Sequence, residues 1–261
     1  MTRRAFTLIE LLVVIAIIAL LIGILVPVLA SARDAALGTS CLANHQQLMV
    51  ATQNYAHEHK DRIPYGPVEP NGGVLNGGDD FYIYNGMTTS QISTKTAEPV
   101  GAGLLLDDYL SETPETLFCP GNEQGLSVSD ELSRVGTGSV VSGYIYRHAS
   151  TDYQRVADFR QHGRPLDDKL RIDALGDNRL GEPIAALFMD YNFLLAPGSQ
   201  FYDFFHRSNH GTDFVNIAYA DGHAEQRNNH DGRYSVNVVG TNLYRALDRM
   251  LEVMEDADDP D

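Results

Sequence analysis

Apolar positions in this chain follow two regimes. From residue 11 to 30 every side chain is apolar or small and none is charged. At 1.5 Å rise per residue such a run covers about 30 Å, the thickness of a bilayer's hydrocarbon core, so it predicts a membrane-spanning helix. Beyond it the apolar residues thin out and recur at helical spacing, at Leu37, Cys41, Leu42, Leu48, Met49, Tyr55 and Ala56, with His45 and Thr52 interrupting the stripe. Between Pro27 and Pro64 there is no proline and a single glycine, Gly38. The two regimes therefore join into one helical rod from residue 6 to about 59, roughly 80 Å long. Pro27 removes a backbone donor inside it and predicts a kink or a local melt.

The pattern changes again in the body. Residues 64–80 are rich in Pro, Gly, Asn and Asp and read as irregular loop. Near the other end Val215, Ile217 and Tyr219 alternate with Asn216 and Ala218, and Asp221-Gly222 follows, which predicts a strand entering a two-residue hairpin. Asp231-Gly232 and the alternation of Tyr234, Val236 and Val238 extend this to a three-strand antiparallel meander. Further strands are expected at 143–147 and 185–190. A last helix is expected from Thr241, with Leu243, Leu247, Met250, Leu251 and Met254 on one side, and 255–261 would be a frayed acidic tail. The predicted class is α+β: a long, Pro-kinked N-terminal transmembrane helix packed on a mainly antiparallel β head.

Charge gives the rod a direction. Arg3 and Arg4 precede the apolar run and only Arg33 and Asp34 follow closely, so the positive-inside rule leaves the N-terminus in the cytoplasm and the head outside. Ala30-Ser31-Ala32 has the form of a signal-peptidase site, but the apolar run exceeds a signal core and the chain beyond it continues as helix. The formal charge of −16 becomes −18 if Arg3 and Arg4 are removed, which excludes nucleic acid as an expected partner. Glu10 is the anomaly, a carboxylate at the mouth of a run bound for lipid; near the middle of a bilayer an ionised group costs on the order of 3 kcal/mol.

These residues carry a resemblance. AFTLIELLVVIAIIALLIGILVPV, from residue 5 on, resembles the N-terminal segment of type IV prepilins and type II secretion pseudopilins. The resemblance implies a pilin-like fold and cleavage by prepilin peptidase between Ala5 and Phe6, with N-methylation of Phe6; the family usually has Gly where this chain has Ala5. It also implies that Glu10 meets the new N-terminal amine of a neighbouring subunit, so that pairing replaces lost water. A second resemblance, in CLANHQQLMVATQNYAHEHKDRIPYG, LFCPGNE and NHGTDFVNIAYADGHAE, is to the large prepilin-type family marked by His, nine residues and Asp-Gly; here ten residues separate His210 from Asp221. The expected organisation is a leader at 1–5, a transmembrane helix at 6–30, its amphipathic continuation at 31–60, and a head at 61–261.

For chemistry the sequence offers little. His206, His210, Asp213, Asp221, His223, His230 and Asp231 crowd one region, and His210, Asp221 and His223 are the candidate metal ligands. Two Asp-Gly turns account for Asp221 and Asp231 without an ion, so neither a metal nor any other cofactor is expected. No nucleophile elbow, His-Glu-x-x-His or phosphate loop is present. Cys41 and Cys119 both fall beyond the span, where disulfides persist, and are either a bridge or two thiols. The expected function is a non-enzymatic, single-pass inner-membrane subunit, its head periplasmic or extracellular. Its partners would be prepilin peptidase, membrane lipid and other pilin or pseudopilin subunits in a type IV pilus, a surface filament or a type II secretion pseudopilus. The rival readings are a non-polymerising membrane-anchored binding module and a metal-dependent surface enzyme.

Overall fold

The computed structural model describes residues 8–65, 88–93, 99–122, 127–138, 140–148, 170–195, 207–238 and 243–259. The expected cleavage pair Ala5 and Phe6, His206, the helix start at Thr241, and most of the 64–80 loop lie outside them.

Helix α1 spans Leu8–Glu58 and stays helical on both sides of Pro27. Its two regimes have different surroundings. Every residue from 8 to 36 is exposed, whereas Gly38, Cys41, His45, Leu48, Met49, Thr52 and Ala56 are buried. His45 and Thr52 thus belong to the docking stripe rather than interrupting it. His45 meets Asp190 there, at 3.3 Å, whereas the Thr52 hydroxyl is buried with no hydrogen-bond partner among the described residues.

That surface is a five-stranded antiparallel sheet, in the order β1-β2-β3-β6-β7, made of β1 (Thr88–Ser93), β2 (Val140–Arg147), β3 (Ala186–Asp190), β6 (Phe214–Tyr219) and β7 (Ala224–Asn228). A second sheet of β4 (Asn192–Leu195), β5 (Arg207–Ser208) and β8 (Val236–Val238) has the order β5-β4-β8, with β4 and β8 parallel. Helix α2 (Val128–Arg134) is short and is capped by Ser127, whose Oγ accepts from Asp130 N; helix α3 (Leu243–Asp258) ends the described chain. Two 3₁₀ turns, Gly101–Leu105 and Pro114–Leu117, pack beside α1.

The five-stranded sheet separates two cores. Leu48 and Met49 of α1 pack with Tyr144, Tyr146, Phe188 and Ala218 on one side, while Ile145, Met189, Val215, Ile217, Met250 and Met254 pack on the other. Strand alternation explains the division, since neighbours along β2, β3 and β6 point to opposite faces. Both faces being covered, Asn216 and Ala218 on β6 are buried rather than solvated.

Three expectations are corrected. The hairpin between β6 and β7 has a three-residue loop, Ala220 to Gly222: Tyr219 N donates to the His223 carbonyl, Gly222 N donates to the Tyr219 carbonyl, and Gly222 alone of the loop has positive φ, at 97°. This is a turn followed by a left-handed residue, so Asp221 escapes the strained conformation that a two-residue type I′ turn would demand of it. The meander stops at two strands. Asn229, buried, binds Ser235 Oγ and the Tyr234 N–H, and the chain then crosses so that β8 pairs with β4 and Val236 joins the second core. Finally, residues 255–258 are the last turn of α3 and not a frayed tail. Glu255 and Asp258 are buried in α3, where Asp258 accepts two bonds from Arg147 and one each from the Ala185 and Ala186 N–H groups. An acid can be buried when its oxygens are filled in this way.

Candidate functional site

Two features of the chain stand apart from ordinary packing. The first is a polar cluster where α1 meets the sheet. Asp190 closes β3 on the face toward α1, opposite Tyr144 of β2. Its Oδ1 accepts from the Cys41 thiol at 3.1 Å and Asn209 Nδ2 at 3.0 Å, and lies 3.3 Å from His45 Nε2. Its Oδ2 accepts from Asn216 N and Nδ2 at 2.8 and 2.9 Å. Cys41 and His45 are four residues apart on α1, hence one above the other on the buried stripe.

Cys119 follows the second 3₁₀ turn. Its Sγ lies 3.2 Å from His210 Nε2 and accepts the Gly121 N–H at 3.3 Å. His210 in turn stands 3.6 Å from Asp190 Oδ2 and stacks on Phe214. Its ring fits against the loop because residue 121 is glycine: a Cβ there would meet His210 Cε1 at 2.4 Å. Cys41 and Cys119 are both buried free thiols, brought into one cluster and not bridged.

Burial dominates the electrostatics here. By itself it would push the Asp190 carboxyl up, but the hydrogen bond and charge of His45, then His210 and Asn209, hold it down at about 2. Burial would likewise lower His45, and its bond to Asp190 raises it instead to about 9. Both thiols are pushed up, mainly by burial.

The histidines and acids that crowd residues 206–231 of the sequence divide in space. Among the described ones, His210 alone reaches the buried cluster. Asp221 and His223 pair with each other at 2.6 Å on the exposed hairpin, Asp213 and His230 pair on the surface at 3.5 Å, and Asp231 accepts the Arg233 N–H. Sequence reasoning missed Asp190 and His45. The available signals were faint: a polar residue four positions after Cys41 on an otherwise apolar stripe, and an acid ending the apolar run before Tyr191.

The second feature is the bare half of α1. It is long and apolar enough to cross a membrane, and its most apolar stretch has no part buried against the head. Glu10 lies exposed in its first turn. Residues 1–26 match the prokaryotic N-terminal methylation motif, while no curated protein and no solved structure matches the chain. A methylation motif that runs straight into a long apolar helix, and through it into an antiparallel β head, makes this chain similar to the type IV prepilins and anchors it in a membrane as they are anchored.

Proposed function

We propose that this chain is a structural, non-enzymatic subunit, cut by prepilin peptidase between Ala5 and Phe6, methylated on Phe6, and assembled through α1 into a type IV pilus or type II secretion pseudopilus. The N-terminus lies in the cytoplasm and the head outside the inner membrane. One observation carries the reading: the methylation motif of residues 1–26 continues into a helix whose first part is exposed at every described residue to 36 and whose later part is built into the head. Such a helix is at home first in lipid and then against copies of itself, where close packing replaces lipid contacts. Glu10 fits the same account, since a neighbour's N-terminal amine supplies the cationic partner that makes an acid tolerable away from water.

The test has two parts. Mass analysis of the mature N-terminus should find a chain beginning at Phe6, and one beginning at Arg33 would mean a secreted soluble product. Glu10→Leu should be inserted and cleaved, because Leu is better accepted in a bilayer than an acid. It should fail to enter filaments or pseudopili, because a neighbour's amine is left uncompensated. Equal incorporation of mutant and wild-type chains in cells expressing both would refute the pairing and leave an anchored, non-polymerising binding module as the account.

A further inference from the structure

The cluster around Asp190 joins four side chains with a shared property. One ligand atom from each of Cys41, Cys119, Asp190 and His210 lies within 4.8 Å of all the others. Four donors around a tetrahedral zinc, with bonds of about 2.0 to 2.3 Å, stand roughly 3.3 to 3.8 Å apart. The observed separations are 3.1 Å from Cys41 Sγ to Asp190 Oδ1, 3.2 Å from Cys119 Sγ to His210 Nε2 and 3.6 Å from His210 Nε2 to the other Asp190 oxygen, Oδ2. These separations lie within or just below that range.

We propose that Cys41, Cys119, Asp190 and His210 form a closed, tetrahedral zinc site that fastens α1 to the β head. Two sulfurs, one imidazole and one carboxylate are a donor set for zinc and not for magnesium or calcium, which take oxygen. On binding, each thiol gives up its proton to solvent and becomes a thiolate ligand, and the hydrogen bond from Cys41 to Asp190 is replaced by two bonds to the metal. The donors are oriented by groups behind them, as metal ligands are. Gly121 N–H points at the Cys119 sulfur, and Asn216 and Asn209 hold the Asp190 oxygens. A cleft lined by Arg33, Asp34, Pro120, Asn122 and Asp213 opens onto His210 and gives the ion a way in. Because the four ligands come from α1, the segment after the second 3₁₀ turn, the end of β3 and the loop after β5, the site is a cross-link and not a catalytic centre: no coordination position is left for a substrate. The proposal is independent of whether the chain polymerises.

The experiment uses the full chain purified in detergent micelles without chelator. Elemental analysis should find about one zinc per chain, and both cysteines should resist alkylation until the metal is stripped. Cobalt added to the reduced, stripped protein should give the thiolate-to-cobalt charge-transfer band and the intense visible bands of a tetrahedral site. His210→Ala and Cys119→Ser should each weaken zinc binding at least tenfold, with Cys119→Ser also lowering the charge-transfer intensity, while His223→Ala on the exposed hairpin should change neither. Where a variant fails to fold, the cobalt spectrum of the wild-type chain still decides. A Cys41–Cys119 disulfide in the non-reduced peptide map, an octahedral cobalt spectrum, or zinc retained undiminished by folded Cys119→Ser and His210→Ala would each overturn the site.

Discussion

His148 shows how far a single side chain can set pH behaviour. It is fully buried after β2, next to Tyr65 and Tyr146, and burial drives its pKa from 6.5 down to about 3. Folded protein therefore keeps the ring neutral where the unfolded chain takes a proton. The contribution is fully favourable above about pH 6.5 and is lost as pH falls toward 3, at up to about 1.4 kcal/mol per pH unit inside that window. Urea melts at pH 7.5 and 5 should show wild type losing more stability than His148→Phe; equal losses would mean the ring is hydrated. Asp258 is the second decisive residue. Truncation to Ala leaves the Arg147 charge buried without its carboxylate, and should cost about 3 to 5 kcal/mol in a denaturant melt. A loss under about 1 kcal/mol would show that the end of α3 detaches freely.

At the scale of elements, the β6–β7 hairpin turns on one backbone conformation. Gly222 holds φ at 97°, whereas Asp221 uses its Oδ1 to accept the His223 N–H, a bond that Asn preserves. Gly222→Val should destabilise by about 1 to 3 kcal/mol, and Asp221→Asn, an exposed change, by under about 0.5 kcal/mol. Thermal melts that reverse this order would remove the turn as the reason for the Asp-Gly pair. Elements of this kind were legible in the sequence where one periodicity governed them, as in α1, the strands at 143–147 and 185–190, and the 215–219 alternation. What escaped were decisions taken between elements. Nothing local in Val236 and Val238 says that they pair parallel with β4, and the acids of α3 look solvated until Arg147 arrives from 111 residues away. The buried cluster escaped for the same reason: Cys41 and Asp190 alone stand 149 residues apart, and only the i, i+4 spacing of Cys41 and His45 is visible along the chain.

For the whole molecule, α1 is an anchor at one end and a core element at the other, and the two halves should answer differently to the same substitution. Leu48 is fully buried against the sheet, so Leu48→Ala should lower the stability of the head by about 2 to 5 kcal/mol. Ile18, on the bare half and 48% exposed, should leave the melting of the head unchanged when replaced by Ala. Equal losses would mean that the bare half of α1 also packs against the head. The sheet with a core on each side also sets how the molecule meets mechanical force. A pull on the bare half of α1 enters through the first core alone; the second core and its Arg147–Asp258 lock lie beyond the sheet, off the load path. Under tension α1 should therefore tear from the sheet before α3 yields, with a rupture force that follows the rate of that one step. Any cross-link between Cys41 and the strands would reinforce the one joint that carries the strain.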